Sequence, residues 1–173
     1  MAFKMQAKKS APGFSDFSCS IARALDVVGE WWTLLIVRDL FAGMSRYDEI
    51  REDLGIASNM LASRLKRLLD HGLIEREVAP DDARSWEYRL TPKGRDLYPV
   101  ILSLMAWGDK WTAAPGRQPV MVVHRQCGEV TAAVPSCSVC REPLALADLS
   151  FLPGPGARSG PGTARVGRYL SHR

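Results

Sequence analysis

The sequence predicts a mainly α-helical fold with a small β wing, a winged helix-turn-helix, followed by a small C-terminal β-ribbon module. Two short amphipathic helices separated by a glycine-marked turn are the first observation that predicts it. Two strand-like runs on either side of a polar tip come directly after them and are the second. Paired cysteine and histidine residues near the C-terminus are the third, and they predict the ribbon.

The second of the two short helices has a single apolar face. Its leucines recur at intervals of three and four residues, at Leu61, Leu65, Leu68 and Leu69, which is the spacing of one helix face. Ser58 or Asn59 can accept hydrogen bonds from the unpaired amides at the helix start. Gly72 follows His71 and suits the left-handed residue beyond a last helical turn. The sequence therefore predicts a helix over 58–70.

The segment before this helix contains its partner and a core helix. Tyr47, Ile50 and Leu54 form the inward face of the partner, with Ser45 as the predicted cap and Gly55 at its end. Further upstream, the run 19–41 is predicted to form two helices broken near residue 29. The second of these, over 31–41, is apolar on most sides, and we expect it to lie at the centre of the core.

The face of the helix 58–70 opposite the leucines is polar and predicts DNA binding. Short side chains near its start can approach base edges, and its cations can reach phosphates. The predicted DNA-binding residues are Ser58, Asn59, Ser63, Arg64, Lys66, Arg67 and, in the wing 79–86, Arg84. A merely solvated surface is the alternative for an isolated helix of this kind, but the hairpin that follows favours DNA.

The hairpin is predicted from alternation. Apolar and polar residues alternate over 74–78 and again over 86–90, and the tip between them is rich in turn residues. Arg84 lies at this tip and can reach the DNA backbone or a minor groove. Asp81 and Asp82 lie beside it and weaken that assignment.

Composition sets limits on the protein's class. The hydrophobic content of 46% is sufficient for a globular core, and no apolar run has the length of a membrane span. The first residues lack the apolar stretch of a signal peptide, so we expect a cytoplasmic protein with reduced thiols and no membrane partner. Seven basic residues lie in the two tails, which leaves 16 basic residues against 19 acidic ones between them. Attraction to DNA must therefore come from local clustering rather than net charge.

A further helix after the wing predicts a dimer. Thr91 and Pro92 form a typical helix start, and the helix is expected to run to Trp111 with a kink at Pro99. Its apolar stripe consists of Leu97, Ile101, Leu104, Trp107 and Trp111. A second copy of the chain would cover that stripe in a closed two-fold arrangement. The alternative is that the stripe packs on its own domain.

The runs 19–76 and 88–111 resemble the HxlR family of bacterial regulators, relatives of the MarR-type winged helices. The resemblance implies a homodimer that binds double-stranded operator DNA, usually as a repressor and sometimes as an activator. It implies that the helix over 58–69 enters the major groove and that the wing touches the flank. It also implies a response to electrophiles or oxidants through a thiol near the N-terminus, and Cys19 lies at that position.

Two interpretations of Cys19 remain open. It can be a sensor thiolate whose ionisation is favoured by the start of a helix, with Arg23 one turn further on. It can equally be a small residue buried at a junction. The first interpretation predicts a small-molecule or oxidant inducer.

The C-terminal segment contains four candidate metal ligands. After a linker at 115–119, the pattern is H-x2-C, nine residues, then C-x2-C, formed by His124, Cys127, Cys137 and Cys140. Four such ligands complete the tetrahedron that zinc prefers. A structural zinc ion is predicted because all four positions are filled. The alternatives are a ribbon without metal and a redox pair formed by Cys137 and Cys140.

The predicted organisation has four parts: a flexible N-terminal arm (1–17), the winged helix-turn-helix with its dimerisation helix (18–114), the zinc-ribbon-like module (115–152) and a disordered basic tail (153–173). An enzyme is not expected, because the three histidines have no partner arrangement for catalysis. The predicted function is a DNA-binding transcriptional regulator. A winged-helix adaptor that binds protein without sequence-specific DNA binding is the alternative.

Overall fold

The computed structural model describes residues 14–114 and 116–165. The start of the predicted arm (1–13) and the end of the predicted tail (166–173) lie outside the described residues. Two compact units can be distinguished: one combines the chain up to Glu30 with the chain from Ser150 onward, and the other spans Trp31–Leu149. The helices are α1 (Ser20–Val28), α2 (Trp31–Ala42), α3 (Tyr47–Leu54), α4 (Ser58–Asp70), α5 (Pro92–Arg95) and α6 (Tyr98–Trp111), and the strands are β1 (Ile74–Val78), β2 (Trp86–Leu90), β3 (Val122–Val123) and β4 (Val130–Thr131).

The second unit has its core around α2. Ile36 and Val37 on this helix are completely buried, and α2 contacts α3, α4 and β2. The side chains packed around it share an apolar character: Ile50, Ile56, Leu61, Leu65, Leu68, Leu73, Ile74, Tyr88 and Leu90. Burial of one such side chain is worth about 1.5–3 kcal/mol. The prediction of a central helix over 31–41 is confirmed.

The turn between α3 and α4 has the predicted form. Gly55 ends α3 with φ +58°, a left-handed conformation that glycine adopts without strain, and Ile56 is buried beside it. At the start of α4 the Asn59 side chain accepts a hydrogen bond from the Met60 amide at 2.8 Å. Ser58 makes no such cap, since Ala57 is the capping residue. The α4 helix begins and ends at the predicted residues.

The start of α3 differs from the prediction. Ser45 does not cap the helix; the Glu49 carboxylate instead accepts from the amides of Ser45 (3.2 Å) and Arg46 (3.0 Å). These amides, that of Arg46 first, lower the pKa of Glu49. An acid in the first turn therefore accepts from the two amides that precede the helix, as the glutamate of a capping box does.

The wing is an antiparallel hairpin of β1 and β2. Its register pairs Ile74 with Leu90, Arg76 with Tyr88 and Val78 with Trp86. These pairs lie on one face because side chains alternate along a strand. Both predicted strands are confirmed.

The prediction of one continuous helix from 92 to 111, kinked at Pro99, is wrong. The chain forms the short helix α5, whose amide at Gly94 donates to the Thr91 hydroxyl at 3.2 Å, and then starts α6 at Tyr98. Pro99 lies in the first turn of α6. A proline there loses nothing, because first-turn amides have no helical partner, whereas inside a helix it would remove a hydrogen bond.

The ribbon after α6 is a small structure with little burial. Strands β3 and β4 pair antiparallel, and an isolated bridge joins Ser136 to Pro143. None of the residues 116–149 is buried. A cavity of about 530 Å³ separates β3 and β4 from one side of α6, where Leu102, Met105 and Ala106 line it.

The first unit contains α1 and the short 3-10 turn before it. The rings of Phe14 and Phe17 meet edge to face at 5.1 Å. The Phe14 amide donates to the Asp26 carboxylate at 3.1 Å, and the Ser18 hydroxyl donates to the carbonyl of Gly156 at 3.2 Å. Within the described part of the chain, no helix has the length and apolarity needed to cross a membrane.

Candidate nucleic-acid interface

The outer face of α4 presents short polar side chains. Leu61, Leu65 and Leu68 are buried, which directs the positions half a turn away into solvent. Ser58, Asn59, Ser63 and Lys66 are exposed there. Lys66 forms an ion pair with Asp70 at 2.7 Å, one helical turn further on.

Arg64 and Arg67 occupy a different position from the other predicted contacts. Both are half-buried, because helix geometry places them on one flank of the leucine face rather than opposite it. They border the exposed surface along one edge. The sequence-based description of all six residues as one opposite face is therefore too simple, although the side chains remain on neighbouring positions of one helix.

Tyr47 fixes α3 against the start of α4. Its hydroxyl donates to the carbonyl of Ser58 at 2.7 Å. This bond holds the first turn of the exposed helix, where the shortest side chains lie. Tyr47 was predicted only to lie on an inward apolar face, but its phenol group indicates a partially buried hydroxyl that needs an acceptor.

The acidic residues at the wing tip are used to hold the wing. Asp81 forms an ion pair with Arg46 at the start of α3, and the same guanidinium contacts Glu87 of β2 at 3.1 Å. The Arg46 side chain lowers the pKa of Asp81. Arg46 thus connects the wing tip to the start of α3, where the Tyr88 amide of β2 also donates to the carbonyl of Ser45 at 2.8 Å. Sequence reasoning missed this arginine, since its partner is 35 residues away.

Asp82 stabilises the tip turn itself. Its carboxylate accepts from the Arg84 amide at 2.9 Å and from the Ser85 hydroxyl at 2.9 Å, and these bonds, the Arg84 amide first, lower its pKa. The Arg84 guanidinium lies 3.5 Å from Asp82, and the side chain is 93% exposed. Of the two acids beside Arg84, Asp81 therefore pairs with Arg46, and Asp82 contacts Arg84 itself.

Polar contacts also brace the wing strands and α2. The Arg76 guanidinium lies over the Trp86 ring at 4.2 Å, and Arg89 pairs with Glu77 at 2.6 Å. In α2, Asp39 is 1% exposed and is held by Arg38 at 2.6 Å. Burial raises the pKa of Asp39, and the hydrogen bond from Arg38 opposes that rise.

Cys19 is the residue that precedes α1. It occupies the helix N-cap position, and its thiol makes no capping hydrogen bond. Its side chain is half-buried. The Arg23 guanidinium, one turn on, donates to the Ser20 hydroxyl at 3.4 Å.

The four predicted metal ligands are brought together in two pairs. His124 Nδ1 lies 3.2 Å from the Cys127 sulfur, and Cys137 and Cys140 lie in one turn, in which the Arg141 amide donates to the carbonyl of Cys137 at 3.0 Å. The backbone amides of Cys140 and Val139 lower the pKa of Cys137. Across residues 14–114 and 116–165, no three or more His, Cys, Asp or Glu side chains form a group that could hold a metal ion.

Helices α3 and α4 pack on the core and leave the outer face of α4 exposed, and the hairpin of β1 and β2 follows them. These elements define a winged helix-turn-helix protein. The profile of the HxlR-like helix-turn-helix family matches residues 27–115, and the chain belongs to this family. An uncharacterized HTH-type transcriptional regulator of Mycobacterium tuberculosis is 40% identical over 140 residues, which are 81% of this chain and 89% of that protein.

Solved structures agree with this assignment. The crystal structure of PA1607, a proposed transcription factor, is similar with a TM-score of 0.72 and 38% identity, covering 79% of this chain and 96% of that one. PA1374 from Pseudomonas aeruginosa, also a proposed transcription factor, has a TM-score of 0.55 and 38% identity, covering 81% of this chain and 95% of that one.

Family membership places the chain among helix-turn-helix transcriptional regulators and not among enzymes. The similarity also extends past the family profile. A match of 140 residues to the mycobacterial protein reaches at least residue 140 wherever it begins. The ribbon therefore has an aligned counterpart in a relative.

Proposed function

We propose that the protein is a homodimeric repressor that acts in the cytoplasm by binding operator DNA through the helix 58–70 and the wing 79–86. The observation that carries this proposal is the exposed polar surface of α4, supported from behind by three buried leucines. A helix whose outer face holds short polar groups and cations suits the major groove.

The side chains divide into two roles. Ser58, Asn59 and Ser63 are short and exposed, so they suit hydrogen bonds to base edges. The cations Arg64, Lys66 and Arg67 suit phosphates on either side of the groove. Lys66 would exchange its pairing with Asp70 for a phosphate. Arg84, exposed at the wing tip, would contact the flanking duplex.

The test is a gel shift with DNA from upstream of the protein's own or a divergent gene. Asn59→Ala should weaken binding by about 1–3 kcal/mol and relax the preference at one base position. Arg84→Ala should weaken binding to all sequences and reduce the salt slope by about one. Arg64→Ala should also weaken binding.

Arg117→Ala, which changes a cation in the linker, is the matched control and should bind normally. If none of the variants in α4 or the wing changes binding while all remain folded, the interface is elsewhere. If wild-type protein shows no preference for any DNA retained from a random pool, the protein is an adaptor rather than a regulator. Repression would be measured in a reporter strain, where a rise in transcription with added protein contradicts that part of the proposal.

The apolar face of α6 supports the dimer. Leu104, Trp107 and Trp111 are 53%, 58% and 66% exposed, and they belong to the predicted stripe. A second copy of the chain would remove them from water in a two-fold interface. Leu104→Glu should convert a dimer into a monomer in sedimentation, whereas Gln118→Glu, at an exposed position outside α6, should leave the dimer intact. A wild-type monomer at micromolar concentration would contradict the dimer.

Cys19 is proposed as the sensor of an electrophilic or oxidant inducer. Its side chain is half-buried at the residue that precedes α1 and makes no capping hydrogen bond, so the thiol is not engaged by the helix start. Cys19→Ser should abolish release of DNA on treatment with a quinone or diamide. Ser20→Ala, which keeps the thiol and changes the next residue, is the control and should retain the response. An unchanged response in Cys19→Ser would remove the sensor role.

A further inference from the structure

The two halves of the predicted metal site have the same backbone structure. In the first, the His124 amide donates to the carbonyl of Glu129 at 2.9 Å, and the Gly128 amide donates back to the carbonyl of His124 at 2.8 Å. In the second, the Cys137 amide donates to Glu142 at 2.8 Å, and the Arg141 amide donates back to Cys137 at 3.0 Å. Each turn thus connects its first residue to its sixth and its fifth to its first.

The fifth residue of each turn has a left-handed conformation. Gly128 has φ +76° and Arg141 has φ +68°. Arg141 is the one non-glycine residue with positive φ in the described chain. A left-handed side chain is unfavourable, so its presence indicates that the turn geometry is required at this position.

The turns bring the first and fourth side chains of each half together. His124 Nδ1 and the Cys127 sulfur are 3.2 Å apart, while two such ligands on a tetrahedral zinc ion are separated by about 3.6 Å. A small opening of the pair would accommodate the ion. Cys137 and Cys140 are the first and fourth residues of the second turn, whose backbone hydrogen bonds match those of the first, and all four cysteines of the chain are free thiols.

Each turn also lies at the end of a hairpin. The first closes the pair β3 and β4, in which Val123 pairs with Val130, and the second closes the bridge from Ser136 to Pro143. Two hairpin ends, each with two soft ligands on a tight turn, are the components of a zinc ribbon. Among the described residues no group of three or more such ligands is formed, so binding of one ion by both turns requires the turns to approach each other.

The ribbon lacks a buried core, so its folding needs another source of free energy. No residue between 116 and 149 is buried, and Val120, Met121 and Val139 are largely exposed. A segment of this size cannot be stabilised by apolar burial alone. Metal binding supplies folding free energy in such segments.

We propose that His124, Cys127, Cys137 and Cys140 bind one zinc ion, which joins the two turns and stabilises the ribbon. On binding, the three thiols release their protons to solvent and the imidazole binds as the neutral form. The role is structural, because four protein ligands leave no open position for substrate. The site is separate from the residues proposed to contact DNA, so it does not depend on the proposed function.

The test uses the full chain, purified without a metal-binding tag under reducing conditions. Elemental analysis should find one zinc per chain, and replacement by cobalt should give the visible absorption of tetrahedral thiolate coordination. Cys127→Ser and Cys140→Ser should each lose bound zinc, and Cys19→Ser, which changes the cysteine outside the ribbon, should keep it. His124→Ala should lose zinc, and His124→Cys should restore it with stronger thiolate-to-cobalt absorption.

A second measurement does not require a folded variant. Amide exchange of the wild-type protein should become faster over residues 120–145 after zinc removal, with no change in α2 and α4. Zinc far below one per chain without a tetrahedral cobalt spectrum would overturn the proposal. Retention of zinc in Cys127→Ser would also overturn it, since a site formed by Cys137 and Cys140 alone would then explain the metal. A disulfide between Cys137 and Cys140 as the stable state under reducing conditions would indicate redox use instead.

Discussion

In the winged helix, side chains such as Ile36, Ile50 and Leu61 are completely buried, whereas no residue of the ribbon between 116 and 149 is. The two regions are continuous in sequence and belong to the same compact unit. Their local order nevertheless has different origins. In the first, apolar packing fixes the helices, and in the second, backbone hydrogen bonds and left-handed residues fix two isolated turns.

The difference shows how function can be placed on each region. A packed core gives α4 a rigid base, so its outer face can be polar throughout without loss of stability. The ribbon has no such base, and its cysteines are exposed or half-exposed. Exposed cysteines of this kind contribute little to a core, but they are accessible to a metal ion. Substitutions that act on burial should therefore separate the two regions.

The largest effect is expected for a leucine in the core of α4. Leu65→Ala should lower the free energy of unfolding by about 2–5 kcal/mol, because it removes buried methyl groups and leaves a cavity. Val130→Ala in the ribbon should cost less than about 1 kcal/mol, since Val130 is 59% exposed. Urea denaturation followed by circular dichroism measures both. Equal losses would show that the ribbon shares the core's cooperativity.

A glycine substitution should give the next largest effect. A Cβ on Gly94 would lie 2.0 Å from the carbonyl oxygen of Leu73, which is backbone and cannot move aside freely. Gly94→Ala should therefore destabilise the winged helix by about 1–3 kcal/mol through overpacking. The matched change is Gly128→Ala in the ribbon, where a Cβ meets nothing within 4 Å.

The two glycine variants should fail differently. Gly128→Ala is opposed by its positive φ and not by a clash, so it should disturb only the first turn of the ribbon. The midpoint temperature of thermal unfolding, followed by the helical circular dichroism signal, should be lower for Gly94→Ala and close to wild type for Gly128→Ala. A fall of the same size in both would contradict the separation of the two regions.

These glycines also show what sequence alone could predict. Spacing of leucines and the position of Gly55 and Gly72 predicted the helix-turn-helix correctly, because local periodicity and chain reversal are encoded by neighbouring residues. The stretch after Thr91 was predicted less well. Pro99 was compatible both with a kink inside one helix and with the first turn of a new helix, and local sequence does not distinguish the two.

Polar contacts between residues distant in sequence were the second feature that the sequence could not predict. Nothing in the local sequence pairs Arg46 with Asp81 or Tyr47 with the carbonyl of Ser58, since the partners are distant along the chain. The candidate DNA-facing residues were found from one helix face, but the flank position of Arg64 depends on how deeply α4 packs. The ligand spacing of the ribbon could be predicted from the sequence. The matching backbone hydrogen bonds of its two turns are seen only in the structure.

A smaller effect should come from the left-handed arginine of the second turn. Arg141→Gly removes the steric cost of φ +68°, about 1–2 kcal/mol, but increases the freedom of the unfolded chain by about 0.4–1 kcal/mol. The net result should be a slight stabilisation, seen as slower amide exchange over 137–142.

Arg125→Gly, inside the first turn at a position without positive φ, should instead make amide exchange faster. Faster exchange in Arg141→Gly would mean that its side chain contributes to the turn.

The smallest effect should appear at the wing tip, a region held by charge in place of burial. Asp81 has a lowered pKa because of Arg46, so its ion pair stabilises the fold above the ordinary carboxyl pKa of about 3.9. That stabilisation is lost as the pH falls through the lowered value, when the carboxylate is protonated. Asp81→Asn should therefore reduce the thermal midpoint slightly at pH 7, and the difference from wild type should vanish in strong acid. Glu52→Gln on the exposed side of α3 is the control and should show no such pH-dependent difference. If Asp81→Asn differs from wild type equally at both pH values, the wing is attached by packing of β1 and β2 and not by the pair with Arg46, and the wing would then belong with the buried region.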